Sequence, residues 1–490
     1  MAFGELGMQE DFRSLLEACR ADSLDVRSDS RAVGAGDIFV AVPGVAEDGK
    51  RYIADAVKAG AGIVVCRPGV DADAFAAGTN CRVVRHKDPR EALWRLAAAR
   101  WGTEGLKIKV MGVTGTNGKT TVACLLEHLF TEAGDKVGVM GTMSYRWPGH
   151  SEPAPLTTPD PVTVHSLLAR MAKAGVNVAV IEVSSHALAQ QRVGGVPFCG
   201  AIFTNLTQEH LDFHKDMESY FSTKAKLFLE MPKHNKVMAV NADDVFGRRL
   251  LKLCPRALSF CLQKRASGRH LWGEMLAAEP QGCNLRMHMG ETDWTLTSPL
   301  VGAFNASNLL AAQALALELG LNPQHLKALE HFHGVCGRLE RIENSLGLDV
   351  FVDYAHTPDA LINVLKALRA AGFLRIITVF GCGGNRDRSK RPRMGEAVAH
   401  YSDVAVLTSD NPRFEDPEAI IQDILPGLAK ARELHVEIDR RAATAKALDM
   451  LKKGETLLIA GKGHEDYQII QGVRHHYSDQ AVVRELLNCG

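Results

Sequence analysis

Residues 110–130, VMGVTGTNGKTTVACLLEHLF, contain a glycine-rich turn that ends in a lysine and two threonines. The backbone N–H groups of such a turn can surround a phosphate, while Lys119 supplies a positive charge and the Thr120 hydroxyl a ligand for Mg²⁺. The usual pattern requires glycine at position 113, where this chain has Val113. The alternative is a tight turn with a solvated lysine. We interpret the segment as a nucleotide-binding loop of a different form, with these nucleotide contacts: Gly115, Thr116, Asn117, Gly118, Lys119, Thr120 and Thr121.

The segments around this loop predict an α/β sheet. An apolar strand precedes it at 106–113, and the apolar residues that follow recur at helical spacing until about Gly134. Further apolar strands are predicted at 136–142, 176–185, 198–206 and 236–244. Strands that alternate with helices favour a largely parallel sheet, in which ligands bind beyond the carboxyl ends of the strands.

Polar residues follow two of these predicted strands. Glu182 and Ser184 end one strand, Thr204 and Asn205 end another, and His210 comes shortly afterwards. A carboxylate oxygen is a suitable ligand for Mg²⁺, so Glu182 is a candidate metal ligand. Histidine is a softer ligand, and by itself His210 would be interpreted as a turn or helix-cap residue.

Composition excludes several classes of protein. The 490 residues predict about three domains, and 57 basic residues balance 57 acidic ones, so no net charge attracts nucleic acid or an anionic membrane. The chain has no signal-like N-terminus and no apolar run long enough to span a bilayer, so we expect a soluble, unexported protein. Its 11 cysteines form no CxxC pair and are expected to be reduced, mostly buried thiols.

Nine sequence blocks occur in an order that resembles the Mur ligase family, and within it the branch that adds the third amino acid of the peptidoglycan peptide. The blocks are GVTGTNGKTT, EVSSHALAQQRV, FTNLTQEHLDFH, GAFNASNLLAA, GRLERI, VDYAHTPDAL, VFGCGGNRDRSKRP, TSDNPR and GKGHEDYQ. The resemblance extends from residue 28 to residue 468. It implies three domains: a uridine-nucleotide domain at 1–104, a central P-loop-type ATPase domain with a mostly parallel sheet at 105–334, and a Rossmann-like amino-acid domain at 335–490.

The resemblance also implies an activity. The chain is expected to be a monomeric, ATP-dependent ligase of the bacterial cytoplasm. It would join meso-2,6-diaminopimelate to UDP-N-acetylmuramoyl-L-alanyl-D-glutamate. ATP would first convert the peptide carboxylate into an acyl phosphate, and the amine would then displace phosphate. Phosphoryl transfer of this kind depends mostly on positioning and on neutralising the charge of the transferring group. The cofactors implied are ATP and two Mg²⁺ ions, and neither nucleic acid nor a membrane is an expected partner.

Residue roles are implied only where this sequence matches a family motif. Lys119, Lys224 and His210 are the expected catalytic residues, and Thr120, Glu182, His210 and Lys224 the expected metal ligands. Further ATP contacts are implied at Asn308, Arg338 and Asp353. Contacts with the UDP-sugar dipeptide are implied at Ser28, Ser30, Val45, Ala46, Glu47, Thr157, Thr158, Ser184, Gln190 and Arg192. Contacts with diaminopimelate are implied at Arg386, Asp410, Asn411, Pro412, Arg413, Gly461 and Glu465.

Lys224 is expected to carry a carbamate formed with CO₂. Carbamylation converts an amine of lowered pKa into an oxygen ligand for Mg²⁺. The alternative is a solvated lysine on a helix surface. Lys226 lies two residues further on, but the Tyr-x3-Lys spacing, which places the lysine four residues after Tyr220, selects Lys224.

Arg413 predicts which amino acid is added. Its guanidinium can bind the distal carboxylate of diaminopimelate in a bidentate manner, and L-lysine has no carboxylate there. A pocket with such an arginine should reject L-lysine by about 10⁴-fold. The alternative role for Arg413 is an ion pair with Glu415 or Asp416. Asn385 departs from the Asp that diaminopimelate-adding relatives usually carry, which puts a role for that side chain in doubt.

Three other functions remain to be compared with this prediction. One alternative is that the chain adds L-lysine in the same reaction. Another is that it is a folylpolyglutamate synthase, since that family shares a GTNGK-type loop. The segment at 28–48 and the DNPR block argue against a pterin substrate. A nucleotide switch would need neither an amino-acid pocket nor the metal ligands.

Overall fold

The computed structural model describes residues 2–22, 24–44, 47–230, 236–264 and 269–488. Two of the predicted substrate contacts, Val45 and Ala46, lie outside these residues. The chain divides into two compact units, Met1–Leu258 with Leu315–Leu321 and Ser259–Ala314 with Asn322–Gly490. The predicted boundaries of three domains stay a prediction.

The first unit begins with a four-stranded parallel sheet in the order β1-β2-β3-β4. Its strands are β1 (Val26–Arg27), β2 (Ile38–Val40), β3 (Ile63–Cys66) and β4 (Arg82–Arg85), and its helices are α1 (Ala2–Asp22), α2 (Ile53–Lys58), α3 (Asp73–Ala76) and α4 (Pro89–Trp101). Successive residues of β2 point to opposite faces, so Ile38 and Val40 join one apolar cluster and Phe39 joins the other.

A second sheet in the first unit carries the glycine-rich loop. Its strands run in the order β11-β10-β5-β9-β6-β7-β8, and the first five of these are parallel. The strands are β5 (Lys109–Thr114), β6 (Val137–Met140), β7 (Ser144–Trp147), β8 (His150–Pro153), β9 (Val178–Glu182), β10 (Phe198–Phe203) and β11 (Val237–Asn241). The helices are α5 (Lys119–Glu132), α6 (Pro161–Lys173), α7 (Ser185–Ala189), α8 (Leu211–His214), α9 (Met217–Leu229) and α10 (Val245–Leu253). The predicted strands and the helix after the loop are therefore confirmed.

The second unit contains a meander and a six-stranded sheet. The meander strands are β13 (His270–Glu279), β14 (Gly282–Met289) and β15 (Thr292–Ser298), which follow β12 (Leu258–Cys261) and precede α11 (Ala303–Glu318). The six-stranded sheet has the order β16-β17-β21-β18-β19-β20, and every pairing except that of β16 is parallel.

The elements of the six-stranded sheet alternate between strand and helix as predicted. The strands are β16 (Glu340–Arg341), β17 (Asp349–Asp353), β18 (Ile376–Phe380), β19 (Val404–Leu407), β20 (Leu434–Val436) and β21 (Thr456–Ala460), with a hairpin of β22 (Tyr467–Ile470) and β23 (Val473–His476). The helices are α12 (Pro358–Ala370), α13 (Lys390–Tyr401), α14 (Pro417–Ile424), α15 (Arg440–Met450) and α16 (Asp479–Asn488).

Both faces of this sheet are buried, which explains its continuously apolar strands. Phe351 and Leu458 pack with α12, α13 and α14, whereas Val350 and Ile459 pack with α15 and α16. The predicted α/β class with mostly parallel sheets is confirmed.

Two expectations from composition also have an outcome. Among the described residues, none of the helices is long and apolar enough to cross a bilayer. The ten described cysteines are all free thiols, and six of them are buried, as predicted.

Candidate functional site

The glycine-rich loop joins the end of β5 to the start of α5. Val113 is a buried residue within β5, so the position that the usual pattern gives to glycine belongs here to the strand. Gly115 has a positive φ of 150°, and a Cβ there would overlap the Thr204 hydroxyl. Gly118, with φ of 85°, directly precedes the helix. The loop therefore directs the N-terminus of a 14-residue helix toward the carboxyl edge of the sheet.

The loop is held by the segment that follows β10. The Asn117 N–H donates to Asn205 Oδ1 at 2.9 Å, and the Thr204 hydroxyl donates to the Asn117 carbonyl at 2.6 Å. Lys119 Nζ donates to the carbonyls of Thr116 at 2.8 Å and Gly115 at 3.1 Å. Contacts within the protein therefore fix the backbone of the loop.

Glu182 ends β9 beside the loop and is almost completely buried, at 1% exposure. Its Oε2 accepts from the Thr120 hydroxyl at 2.9 Å and from the Thr142 hydroxyl at 3.1 Å, while Oε1 accepts from the Thr142 N–H at 2.9 Å. A Cβ at Gly141 would lie 2.8 Å from Cδ of Glu182, so any residue other than glycine at this position would overlap the carboxylate. A buried hydroxyl and carboxylate in contact form a hard oxygen pair, which suits Mg²⁺.

Among the residues that the structure describes, no three His, Cys, Asp or Glu side chains converge as a metal site. The predicted ligand set does not require such a cluster. It combines one hydroxyl, one carboxylate and one imidazole with a carbamate that an unmodified lysine lacks.

Lys224 lies on α9 with its side chain buried, at 1% exposure, whereas Lys226 is exposed. Its Nζ donates to the Gly115 carbonyl at 2.7 Å, the same oxygen that accepts from Lys119. Burial, and then the charge of Lys119, lower the pKa of Lys224 well below its ordinary value. The alternative of a solvated lysine is therefore wrong for Lys224 and correct for Lys226.

His210 precedes α8 as its N-terminal cap residue and has a positive φ of 57°. Its ring lies 4.9 Å from that of His186 and 6.2 Å from that of Tyr220, measured between centroids. Burial lowers the pKa of His210, and the charges of Lys119 and Lys224 lower it further. A neutral imidazole is the form that binds a metal, so the cap position and a ligand role are compatible.

The predicted dipeptide contacts of the first unit form one hydrogen-bonded network. The Thr158 hydroxyl donates to the Glu182 carbonyl at 2.7 Å and accepts from the Ser184 N–H at 3.0 Å. Arg192 donates to the Thr158 carbonyl at 2.9 Å and to Gln190 Oε1 at 2.8 Å. Thr157 joins the network through the Thr142 hydroxyl at 3.1 Å. Tertiary structure thus brings together residues predicted from two separate segments, 157–158 and 184–192.

The predicted uridine contacts lie on the first sheet's loops. Ser28 and Glu47 are exposed, and Ser30 begins a 3₁₀ turn capped by the Asp29 side chain. The Glu47 carboxylate accepts from the Tyr52 hydroxyl. These side chains are accessible to a ligand, and their role stays a prediction.

Three predicted ATP contacts belong to the second unit. Asn308 Nδ2 donates to Asn305 Oδ1 at 3.2 Å within α11. Asp353 ends β17, where it accepts from the N–H groups of Leu339 at 2.6 Å and Ala355 at 2.7 Å. Burial raises the pKa of Asp353 to about 6, and the charge of Arg338 opposes that shift.

The predicted diaminopimelate contacts lie after the carboxyl ends of β18, β19 and β21. The parallel register aligns Phe380 with Leu407 and Val379 with Ile459, so the loops that follow start at one edge of the sheet. Asn411 Nδ2 donates to Glu465 Oε2 at 2.8 Å. A Cβ at Gly461 would lie 2.6 Å from Asp410 Oδ2, so the two loops are in direct contact. A Cβ at Gly384 would likewise overlap the Pro412 carbonyl oxygen, so these two loops are also in contact.

Arg413 and Arg386 both lie beside the Gly383 turn. A Cβ at Gly383 would lie 2.8 Å from Arg413 Nη1 and 3.9 Å from Arg386 Cγ. Arg413 Nη1 donates to the Gly384 carbonyl at 2.7 Å. Glu415, its proposed ion-pair partner, is bound instead by the buried Arg391 at 2.9 Å. The ion-pair alternative for Arg413 is therefore wrong for Glu415.

Asn385 connects these two loops. It has a positive φ of 52°, a conformation that asparagine tolerates better than most residues. Its Oδ1 accepts from the Phe414 N–H at 3.1 Å, and its own N–H donates to Glu415. The Asn385 side chain, whose role was in doubt from the sequence, therefore has a structural role next to Arg413.

Sequence reasoning missed two residues in these sites. Thr142 binds Glu182 through both its N–H and its hydroxyl, and its only sequence signal is its position after a strand. Lys462 is completely buried, and its Nζ donates to Asn411 Oδ1 at 3.2 Å. Lys462 lies within the GKGHEDYQ block, where a lysine directly after a strand could have been noticed.

Comparisons with known families cover most of the chain. Residues 25–101 match the family described as "Mur ligase family, catalytic domain", residues 113–316 the "Mur ligase middle domain", and residues 337–463 the "Mur ligase, glutamate ligase domain".

Similar curated proteins and solved structures agree with these matches. A protein of Lawsonia intracellularis named UDP-N-acetylmuramoyl-L-alanyl-D-glutamate--2,6-diaminopimelate ligase is 52% identical over 463 residues, covering 94% of this chain and 95% of its own length. The protein of that name from Aquifex aeolicus is 42% identical, covering 94% of this chain and 92% of its own. A solved structure with that name aligns with a TM-score of 0.68 at 32% identity, covering 95% and 94%. Folylpolyglutamate synthase of Mycobacterium tuberculosis, at 19% identity and a TM-score of 0.59, covers 74% of this chain and shares the fold alone.

Proposed function

The chain belongs to the Mur ligase family, and on that premise we propose which of its residues carry out the reaction. It is an ATP-dependent ligase that adds 2,6-diaminopimelate to UDP-N-acetylmuramoyl-L-alanyl-D-glutamate in peptidoglycan synthesis. The finer assignments that follow are proposals, namely the meso isomer, the metal and carbamate, and each residue's role.

Activation of the peptide carboxylate belongs to the first unit. The glycine-rich loop would hold the phosphates of ATP by its N–H groups, and Lys119 would exchange its loop carbonyls for a terminal phosphate. When bound, Mg²⁺ supplies positive charge that neutralises the transferring phosphoryl group. Thr120 and Glu182 would hold one ion, which their contact of 2.9 Å supports. His210 and the carbamate would hold the second.

Carbamylation of Lys224 is supported by its surroundings. Only the neutral amine reacts with CO₂, and burial beside Lys119 favours that neutral form. The new carboxylate would stand next to the loop, because Lys224 Nζ already lies 2.7 Å from the Gly115 carbonyl. The modification would also place a negative charge near the Lys119 ammonium, since both lysines contact the Gly115 carbonyl, and the two charges would attract each other.

The dipeptide would be held by the network around Thr158. Thr157, Ser184, Gln190 and Arg192 offer hydroxyl, amide and guanidinium groups, which complement the carboxylates and amides of the substrate. Ser28, Ser30 and Glu47 would contact its uridine nucleotide, together with Val45 and Ala46. Asn308, Arg338 and Asp353 remain proposed ATP contacts of the second unit.

One observation supports the amino-acid specificity: Arg386, Arg413 and Glu465 lie on three loops that contact one another at one edge of the sheet. Arg386 and Arg413 lie beside the same Gly383 turn, and Glu465 is tied to Asn411 at 2.8 Å. Diaminopimelate carries two carboxylates and a distal ammonium, which is the charge pattern that these groups complement. We assign Arg413 to the distal carboxylate and Glu465 to the distal ammonium.

Phosphate release with different amino acids tests this assignment. With ATP, Mg²⁺, bicarbonate and UDP-N-acetylmuramoyl dipeptide present, we expect release with meso-diaminopimelate and about 10⁴-fold less with L-lysine. Arg413→Ala should narrow that gap mainly by raising KM for diaminopimelate. Arg432→Ala is the matched control, because Arg432 is exposed and pairs with Asp403. Equal rates with both amino acids would refute the specificity, and release without any amino acid would indicate a nucleotide switch.

We also propose that the protein is cytoplasmic and monomeric. The basis for this proposal is that its substrates are small molecules. Sedimentation velocity at micromolar protein concentration should give a single species of the mass of one chain, 53.2 kDa. A concentration-dependent larger species would contradict the monomer.

A further inference from the structure

Lys462 is a buried cation to which the proposed reaction assigns no role. It follows β21 directly, between Gly461 and Gly463, and its side chain has 0% exposure. A lysine is almost never fully buried unless its charge is paired, so its partners indicate why it is there.

The partners of Lys462 are residues of the amino-acid pocket. Its Nζ donates to Asn411 Oδ1 at 3.2 Å and to Glu465 Oε2 at 3.4 Å, and it lies 5.6 Å from the centre of the Tyr467 ring. Asn411 Nδ2 completes a closed triad by donating to the same Glu465 Oε2 at 2.8 Å. Both polar atoms of the Asn411 amide and one carboxylate oxygen are thereby fixed.

The triad leaves the other oxygen of Glu465 for a ligand. From the residues that the structure describes, Oε1 accepts one long hydrogen bond, from the Tyr467 hydroxyl at 3.4 Å, and the Glu465 side chain is 15% exposed. The same Asn411 Oδ1 also accepts from the Ile469 N–H at 3.0 Å, which anchors the triad to β22. A carboxylate held in this way presents one oxygen in a constant direction.

We propose that Lys462 is a positioning residue, which holds Glu465 and Asn411 so that Glu465 Oε1 receives the distal ammonium of a diamino acid. The proposal rests on the assignment of this pocket to diaminopimelate. It adds a third cation to the two arginines, with a different task, because Lys462 acts on the carboxylate of the pocket and the arginines act on the carboxylates of the ligand. A simple buried ion pair would stabilise the fold without affecting KM.

Removal of the lysine charge should change binding of the amino acid. In Lys462→Met, Glu465 loses the cation that contacts its Oε2 at 3.4 Å, so the direction of Oε1 is no longer fixed and the distal ammonium loses a positioned partner. We expect KM for diaminopimelate to rise about 10- to 100-fold, the loss of one charge-assisted contact.

The experiment measures phosphate release by the full-length enzyme at saturating ATP and UDP-N-acetylmuramoyl dipeptide. Lys462→Met, Glu465→Gln and the double variant are compared with the wild type over a range of diaminopimelate concentrations. If Lys462 acts through Glu465, the double variant should have a KM within about threefold of Glu465→Gln alone. The KM values for the other two substrates should not change.

Each outcome decides the question. An unchanged KM for diaminopimelate in Lys462→Met, or effects of the two substitutions that multiply, overturns the proposal. If Lys462→Met and Lys462→Gln both fail to fold while Glu465→Gln folds, the lysine supports the fold and the proposal is also overturned. A wild-type enzyme that is inactive with diaminopimelate would instead refute the proposed function.

Discussion

Gly141→Ala tests whether the geometry around Glu182 serves the reaction. The added Cβ would lie 2.8 Å from Cδ and 3.0 Å from Cγ of Glu182, where carbon atoms normally stay about 3.5 Å apart. Because the added Cβ would also overlap Oε1 of Glu182, the carboxylate must move by at least roughly 0.7 Å. Gly141 does not have a positive φ, so alanine adds no backbone strain and the effect is steric.

That displacement exceeds what the hydrogen bonds of Glu182 can absorb. Its bonds to the Thr142 N–H and the Thr120 hydroxyl are both 2.9 Å long, and a stretch of that size takes them beyond a useful hydrogen-bond length. Loss of one bond to a charged group costs about 2 kcal/mol, which corresponds to roughly 30-fold in rate. We expect kcat to fall at least that far and the Mg²⁺ concentration for half-maximal rate to rise.

The assay is phosphate release over a range of Mg²⁺ concentrations, with thermal unfolding to show that the variant folds. Gly105→Ala is the matched control, because nothing lies within 4 Å of its added Cβ and its φ is also not positive. Both substitutions lower the conformational entropy of the unfolded chain by the same amount, so this contribution to stability cancels when the two variants are compared. A Gly141→Ala enzyme with wild-type kcat and wild-type Mg²⁺ requirement would refute the role of Glu182.

Three further predictions concern other sites. Removal of CO₂ and bicarbonate should lower phosphate release. Lys224→Ala should abolish phosphate release, and Lys226→Ala should leave it unchanged. Full activity of Lys224→Ala would contradict carbamylation. Burial lowers the pKa of His165 to about 4 from 6.5, so the unfolded chain binds its proton first and stability falls as pH drops below 6.5. This group alone should lower the free energy of unfolding by about 2 kcal/mol between pH 6.5 and 5. Urea unfolding at several pH values should show that the free energy of unfolding depends less steeply on pH in His165→Gln than in the wild type. The same dependence on pH in both proteins would contradict the prediction. Asn385→Asp keeps an acceptor for the Phe414 N–H and should leave KM for diaminopimelate within about threefold of the wild type. Asn385→Ala should raise that KM about fivefold. A larger increase in Asn385→Asp than in Asn385→Ala would contradict the role of the Asn385 side chain in connecting the two loops.

The strands and the nucleotide-binding loop could be predicted from local sequence. The apolar run before Gly115 and the helical spacing of the residues after Gly118 are short-range patterns, and they determine a strand, a turn and a helix in that order. The same applies to β9, β10, β17 and β21, whose buried residues form continuous apolar runs. Because parallel strands end at one edge, the polar residues that follow them could also be predicted to lie close together.

Burial and partner choice were decided only by the tertiary structure. Lys224 and Lys226 are alike in sequence, and only the packing of α9 against the loop buries the first and exposes the second. Arg413 could have paired with Glu415 until Arg391, 22 positions earlier, was found to bind that carboxylate. Lys462 and Thr142 gave little sequence signal, because the groups that they bind come from other loops. A side chain's type limits its chemistry, but the long-range contacts that fix its neighbours, exposure and charge exist only in the folded chain.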